Sequence, residues 1–539
     1  MKKSIVWTLV VILVLGLVFS GCGKQVSTGK DGKVTITVAF PGADESWKDD
    51  DYYKYICDKL NMEIEFETLS SDSAAEKARI WISSGSMPDV VTTNDFMIDE
   101  YLEYVDQGMI RELPENWEKD YPNVGFAMEM TGILDTLEEN GSVSALVRPQ
   151  DHYRDYIDEF RVAYAEGKNL REMMSQNEYL YIDAYGFAYR KDWAEKLGIE
   201  TDYIMDYDDF MDMLLKFKEA DLGGVGKQNT VGLAVDYTEA PQAFIVPFNS
   251  SYKHFSKNEN GEYECGLLSD STIEGVKAYA EAFRTGILAP DFYTQKTGDL
   301  NSLFCSERAG AIFPRANHHF LRALCSEFEK ANPGKKAEDC IGVCWLRSPD
   351  GKVHGWESGN LYGAYYFSPD LSDEKMAKIL ELADYISSEE GGPQIRLGVP
   401  DVDYKKEGDE YIVLREANAD GNLETLDKKY PSYEFFRQFL NPFYDNSVDT
   451  GHQAMREQSA LRKAKLEEPL ALRSWDTARD FYTADDYVTF NAANEVNGML
   501  AEAVVAEGDV EENWKKVVAG IEKDATSVAA NMNQALLGK

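Results

Sequence analysis

Side chains able to do chemistry gather in a few short stretches. In PGADESW, residues 41–47, Asp44 and Glu45 set two carboxylates beside the indole of Trp47. Asn94 and Asp95 follow one another in TTND, and Asp236 and Tyr237 close GLAVDY. Carboxylates and amides make hydrogen bonds of fixed direction, while aromatic rings offer flat apolar faces; together they suit holding a polar molecule. Each has a structural alternative: Trp47 would serve equally as a core anchor in the first turn of the helix after it, and Asp95 as the cap of the helix that follows Asp95. Signatures of turnover are missing. There is no H-E-x-x-H, no G-x-S-x-G, and no glycine-rich phosphate loop ending in Lys-Ser or Lys-Thr. Six histidines make no metal cluster, because the adjacent pair His318 and His319 cannot share a helix face. A hydrolytic carboxylate dyad is defined by separation in space, so 95 acidic residues decide nothing either way.

The elements around these stretches must bring them together. KVTITVAF has strand composition, and SWKDDDYYKYICDKLNM reads as a helix. MEIEFETL, SAAEKARIWISSG and MPDVVTTN continue as strand, helix and strand. That alternation predicts parallel strands with right-handed crossovers, a doubly wound α/β lobe. Ligands of such sheets meet the loops at the carboxyl ends of the strands, here 40–47 and 92–96. The middle of the chain builds a second α/β lobe. LYIDAYGFAYRKDWAEKLGI is an extended segment entering a helix that stops at Gly198, and DYDDFMDMLLKFKEA sets Phe210, Met213, Leu214 and Phe217 on one helical face. NTVGLAVD is a strand, and DSTIEGVKAYAEAFRTGIL a capped helix ending before Gly286. From about 300 the pattern shifts to LFCSERAGAIFP, a helix around FLRALCSEFEK, a hairpin in CIGVCWLRSPDGKVHGW, the strand GAYYFS and the helix in SDEKMAKILELADYISSEEGG. The last hundred residues read as mostly helical. No internal repeat or long linker interrupts the lobes.

The start of the chain says where it works. Lys2 and Lys3 precede an apolar run from Ile5 to Phe19, and small residues follow, a secretory signal layout. Phe19-Ser20-Gly21-Cys22 resembles the bacterial lipobox, with Phe19 in place of the usual leucine; Cys22 would become the lipidated N-terminus. Gly23 to Lys33 is a flexible tether. Cleavage leaves 518 of the 539 residues, too many for one core. With 55 basic and 95 acidic residues the net charge is −40, and loss of Lys2 and Lys3 makes the mature chain two charges more acidic. Such a surface repels nucleic acid and polyphosphates. The remaining cysteines, Cys57, Cys265, Cys305, Cys325, Cys340 and Cys344, are too few for a disulfide scaffold and read as buried thiols. Alternation would put Cys340 and Cys344 on one face of a strand.

A lipobox and tether followed by KVTITVAFPG, YRKDWAEKLGI, LFCSERAGAIFP, ILELADYISSEEGGPQIRLGVPDVDY and NWKKVVAGIEK resembles the large extracellular solute-binding lipoproteins of carbohydrate ABC importers, over nearly the whole mature chain. The resemblance implies two α/β lobes of the type II periplasmic-binding kind, joined by crossing strands, closing on a sugar and followed by a helical C-terminal extension. It implies 1–21 as signal peptide, 22–32 as tether, 33–150 as the first part of lobe 1 and 151–299 as the first part of lobe 2. Residues 300–366 would return to lobe 1 through the hinge, and 367–539 would complete lobe 2. Further ligand contacts would be Tyr185 near the crossover, Asn317 and His318 where a strand turns into a helix, and Trp356 and Glu357 before the strand that re-crosses. Partners would be a carbohydrate, the permease subunits and, through Cys22, the extracytoplasmic face of the cell membrane; the protein would be a monomer and not an enzyme. Alginate-binding relatives hold calcium in an acidic loop after the helix that corresponds to 207–220. Here that loop is EADLGGVGKQNTVG, where Asp221 stands but Gly223, Val225 and Asn229 replace oxygen ligands, so a glycine-rich turn is expected and no cofactor.

Overall fold

The computed structural model describes residues 32–538 apart from 70–72, 95, 139–141, 151–152, 154–155, 175, 177–185, 296, 357–360, 409, 417–423, 441–452, 466, 474–475 and 481. Cys22 with the apolar run, and the site candidates Asp95, Tyr185 and Glu357, lie outside the described residues, as do the side chains of His318 and Trp356.

Lobe 1 begins with β1 (Val34–Pro41) and β2 (Met62–Leu69), parallel in register from Val34 opposite Met62 to Pro41 opposite Leu69. Their sequences explain their places. β1 is almost continuously apolar and is buried on both faces; β2 alternates, with Met62, Ile64, Phe66 and Leu69 inward and Glu65 and Glu67 in solvent, as an edge strand requires. β3 (Val90–Thr93) pairs parallel with the other side of β1, and β4 (Ala145–Pro149) follows a helical insertion. The helix Asp51–Lys59 starts at Asp50, whose carboxylate accepts from Tyr53 N at 2.8 Å and also from Ser432 N and Oγ, each at 2.8 Å. One cap thus pins a segment almost four hundred residues away.

Lobe 2 carries β5 (Phe187–Arg190), β6 (Ile204–Asp206), β7 (Val231–Ala234), the small hairpin of β8 (Phe255–Lys257) and β9 (Tyr263–Cys265), β10 (Ala309–Ile312), β11 (Ile341–Arg347) and β12 (Val353–Trp356). Its sheet is mixed: β7 and β10 are parallel, while β5 lies between β10 and β11 and antiparallel to both. The helix Tyr207–Ala220 buries Phe210, Met213, Leu214 and Phe217, as its spacing predicts. β11 and β12 form the expected hairpin.

The chain returns to lobe 1 at β13 (Leu361–Phe367), inserted antiparallel between β3 and β4. This corrects the expected boundaries: 309–356 belongs to the sheet of lobe 2, and the change of lobe comes after Trp356. A second difference follows. The helix Asp373–Ile386 and the hairpin of β14 (Tyr404–Glu407) and β15 (Glu410–Val413) come next, and in the core of lobe 1 Phe435 packs against Phe40 and Phe66 and Phe436 against Tyr52 and Tyr53. Only from the helix Gln453–Lys465 onward does the chain rejoin lobe 2, where β16 (Leu470–Arg473) pairs with β12 and the helices Val496–Val505, Val510–Val518 and Glu522–Met532 pack on its outer core. An apolar strand buried on both faces carries no sign of which sheet receives it. The six cysteines are free and buried. Cys340 and Cys344 do not share a face: Cys340 ends a short helix and joins one core cluster, whereas Cys344 inside β11 joins another. Among the described residues no helix is long and apolar enough to cross a membrane.

Candidate functional site

The strand ends at which the chain passes between lobes define one edge of each sheet. In lobe 1 these are the ends of β1, β3 and β4 and the start of β13; in lobe 2 they are the start of β5 and the ends of β7, β10 and β11.

On the lobe 1 edge, β13 opens with a bulge, since its register against β4 slips between Leu361, opposite Pro149, and Ala364, opposite Val147. Gly363 sits at φ +72° against Thr93 O, where a Cβ would collide, so the bulge needs glycine. The extra residue turns Tyr362 outward, leaving it 44% exposed. Behind it lies Arg148, 6% exposed, its guanidinium carbon 4.2 Å from the ring centre. Arg148 is held from the other side by Gln438 Oε1 at 2.5 Å, and Gln150 Nε2 donates to Leu361 O at 2.8 Å.

The lobe 2 edge repeats the arrangement with different residues. Phe320, in the first turn of the helix His318–Ala331, is 38% exposed, and the guanidinium carbon of Arg315, a residue 3% exposed, lies 5.2 Å from its ring centre. Arg315 donates through Nε to Asn301 Oδ1 at 3.0 Å and through Nη1 to Pro314 O at 2.6 Å, and its backbone N–H reaches Gly186 O at 3.0 Å. Burial lowers its proton affinity, and the carboxylates of Asp236 and Glu239 oppose that. Asp236 is buried at the end of β7 and accepts from Thr238 N (3.0 Å), Thr238 Oγ1 (2.8 Å) and Glu239 N (2.9 Å). Burial and then the Asp236 charge push the Glu239 carboxyl above its usual range, and burial pulls the Lys253 ammonium below its own. Tyr237 donates to Glu495 Oε2 at 2.6 Å, and burial together with that carboxylate pushes its phenol up to about 12.

The predicted residues fare unequally. Asp236 and Tyr237 follow the end of β7 and Asn317 the end of β10, all on the lobe 2 edge, and Asp44, Glu45 and Asn94 lie exposed on the lobe 1 edge. Two of them are engaged in local caps: Asp44 Oδ1 accepts from Ser46 N at 2.8 Å, which lowers its pKa, and Asn317 Oδ1 accepts from Phe320 N at 2.9 Å. His318 is the first residue of the same helix and Trp356 the last of β12. Trp47 is corrected: 7% exposed and edge-on to Phe66 with ring centres 5.3 Å apart, it is a core anchor and offers no open face. Arg148, Tyr362, Arg315 and Phe320 escaped the sequence-based choice. Two of them leave a trace, an arginine ending the apolar run SALVRP and another between Pro314 and the helix cap in PRAN.

The arrangement offers two partly exposed rings, each beside a buried arginine, and a rim of carboxylates, amides and a phenol. It can grip a molecule with apolar faces and a polar edge.

No protein-family model matches the chain. It is 22% identical over 428 residues to Lipoprotein LipO of Bacillus subtilis (strain 168), covering 77% of this chain and 76% of that protein. A shorter match, 24% identical over 246 residues, covers 44% of this chain and 41% of FusA, the fructooligosaccharide ABC transporter substrate-binding protein of Streptococcus pneumoniae serotype 4 (strain ATCC BAA-334 / TIGR4). In three dimensions the chain superposes on an extracellular solute-binding protein from Bifidobacterium longum subsp. infantis with a TM-score of 0.65, 18% identity, and 94% and 98% of the two chains covered. FusA in complex with kestose superposes with a TM-score of 0.60 and 14% identity, over 94% of this chain and all of the other. The fold is that of the solute-binding proteins.

One solved form of FusA is an EF-hand mutant, which makes calcium a specific question here. The Asp221 loop does not fit the ion. Asp221, at φ +45°, accepts at Oδ1 from Val225 N (3.1 Å), Gly226 N (3.1 Å) and Thr230 Oγ1 (2.9 Å), and at Oδ2 from Gly226 N (3.0 Å). Donors stand where a cation would, and among the described residues no three His, Cys, Asp or Glu side chains converge as metal ligands.

Proposed function

We propose that this chain is the substrate-binding lipoprotein of an ABC importer, capturing a sugar or oligosaccharide between its lobes and passing it intact to a membrane permease. The observation that carries the proposal is the pairing of Tyr362 over Arg148 and Phe320 over Arg315 on the two sheet edges bordering the crossings. A sugar ring has two weakly apolar faces and a rim of hydroxyls, which an aromatic ring on each lobe and a rim of planar polar groups complement. Closure works by differential affinity: the ligand touches both edges only when the lobes approach, so it favours the closed form by the contacts added there. The likeness to FusA, whose solved complex holds kestose, supports the same ligand class.

In this proposal Cys22 carries the lipid that holds a monomeric binder at the extracytoplasmic face of the membrane, the acidic surface excludes nucleic acid, and no step transforms the ligand. The test is thermal denaturation of the purified mature chain against a glycan panel that includes kestose, with a peptide panel as control. Glycans should raise the melting temperature as RT ln(1 + [L]/Kd) requires. Stabilisation by peptides alone would overturn the carbohydrate assignment.

A further inference from the structure

Beside the Arg315–Phe320 pair, lobe 2 contains a pocket that the two aromatic platforms do not account for. Phe187, Phe313, Val246 and Val353 form apolar walls, and the polar side chains among the lining residues are Trp345, Gln242 and His354, the last bonded through Nε2 to Asp350. Trp345 is 3% exposed, and neither its Nε1 nor Gln242 Oε1 has a hydrogen-bond partner. A buried donor and a buried acceptor left unpaired each carry the full penalty of desolvation, and apolar walls cannot relieve it.

The pocket's position ties it to the same sheet edge. Gly186, just before β5, lies so close to Trp345 that a Cβ there would sit 2.8 Å from Nε1. Gln242 belongs to the short helix Ala240–Ile245 that the Asp236 turn launches, and Phe313 comes two residues before Arg315. Gln242 and His354 at its rim are half-buried, so the pocket reaches the surface. The cavity is about 20 Å³, enough for one oxygen-sized group and too small for a ring.

We infer that this pocket is a specificity subsite that takes a single hydroxyl or hydroxymethyl arm of the bound glycan, which accepts from Trp345 Nε1 and donates to Gln242 Oε1. Among the groups a neutral sugar carries, the hydroxyl is the one of that size that is donor and acceptor at once. A carboxylate would leave Gln242 Oε1 facing another acceptor, and a methyl would leave both atoms unpaired. The inference rests on the carbohydrate reading of the cleft and adds to it a position at which a deoxygenated or capped sugar is rejected.

The test uses the mature chain, ¹⁵N-labelled at its tryptophans, with kestose and the other glycans of the panel as probes. Trp345→Phe deletes the N–H and keeps an aromatic filler, and Gln242→Met keeps length without the carbonyl. Each should weaken binding of a stabilising glycan by about three- to tenfold with the melting temperature of the free protein retained. The indole N–H resonance that Trp345→Phe abolishes should shift on saturation of the wild type. If Trp345→Phe fails to fold, the affinity of Gln242→Met alone decides. A glycan that stabilises the protein while both variants bind within twofold, or while that resonance stays still, would overturn the subsite and leave the carbohydrate reading standing. A panel in which no glycan stabilises the protein would remove both.

Discussion

The guanidinium carbon of Arg148 stands 4.2 Å from the centre of the Tyr362 ring, an almost wholly buried cation behind an aromatic face that is open to solvent on its other side. The bulge at Gly363 creates that exposure, and the Gln438 amide fixes the arginine. A ring held from behind does not lose rotamer freedom when a ligand covers its front, so stacking there comes at reduced entropic cost.

Tyr362→Ala and Phe320→Ala should therefore each weaken glycan binding by ~1–2 kcal/mol, roughly tenfold in Kd, with little change in melting temperature. Titration calorimetry beside thermal denaturation separates the two effects. A fall in stability with affinity intact would mean that the rings are packing residues.

Trp47 should behave in the opposite way. Edge-on to Phe66 and tilted against Phe40 at 6.0 Å, it fills the core of lobe 1. Trp47→Ala should cost ~3–5 kcal/mol of stability, read from denaturant unfolding, while residual folded protein binds glycan with unchanged Kd.

Calcium removal should do nothing to stability. With its carboxylate satisfied by Val225, Gly226 and Thr230, the Asp221 loop closes without an ion. Chelator and added calcium should give the same melting temperature, whereas Asp221→Ala should lower stability by ~1–2 kcal/mol. A rise in melting temperature with calcium concentration would show a bound ion.

The pH dependence of Asp476 tests how the C-terminal region is tied to lobe 2. Burial alone would raise its pKa, but the Tyr263 hydroxyl at 2.6 Å and the Lys257 ammonium at 3.0 Å more than offset this, and the net value lies below the usual carboxylate range. The native state thus holds its proton less tightly than the unfolded chain. The stability this confers is present above the ordinary value near 4 and is lost as pH falls through the depressed native value. Asp476→Asn should be less stable than wild type at pH 7, and the gap should close below ~pH 4 in urea unfolding followed across pH. A gap independent of pH would contradict the ion pair.

Local structure was legible where one face of an element is buried. The alternation of MEIEFETL places β2 at residues 62–69, and the spacing of Phe210, Met213, Leu214 and Phe217 gives the core face of 207–220. Partner choice was not. β10 and β13 are both short and apolar, yet one joins lobe 2 and the other lobe 1, because pairing depends on strands that lie far away in sequence. The site shows the same division. The strand-end loops were found from the α/β pattern, which led to Asp236 and Tyr237, whereas Asn317 came from the family resemblance. Tyr362 was missed because its exposure comes from a one-residue slip against β4, and Trp47 was misplaced because an indole beside carboxylates looks the same in sequence whether it faces a ligand or a core.

The central claim is that the two arginine-backed rings close on a carbohydrate that is released unchanged. Calorimetric titration of the purified protein with the glycan panel, followed by mass spectrometry of the ligand recovered after denaturation, tests it most directly. Saturable binding that weakens at least tenfold in the double variant Tyr362→Ala/Phe320→Ala, with the glycan recovered at its original mass, is the predicted result. Binding unaffected by that double variant, or recovery of a shortened glycan, would contradict it.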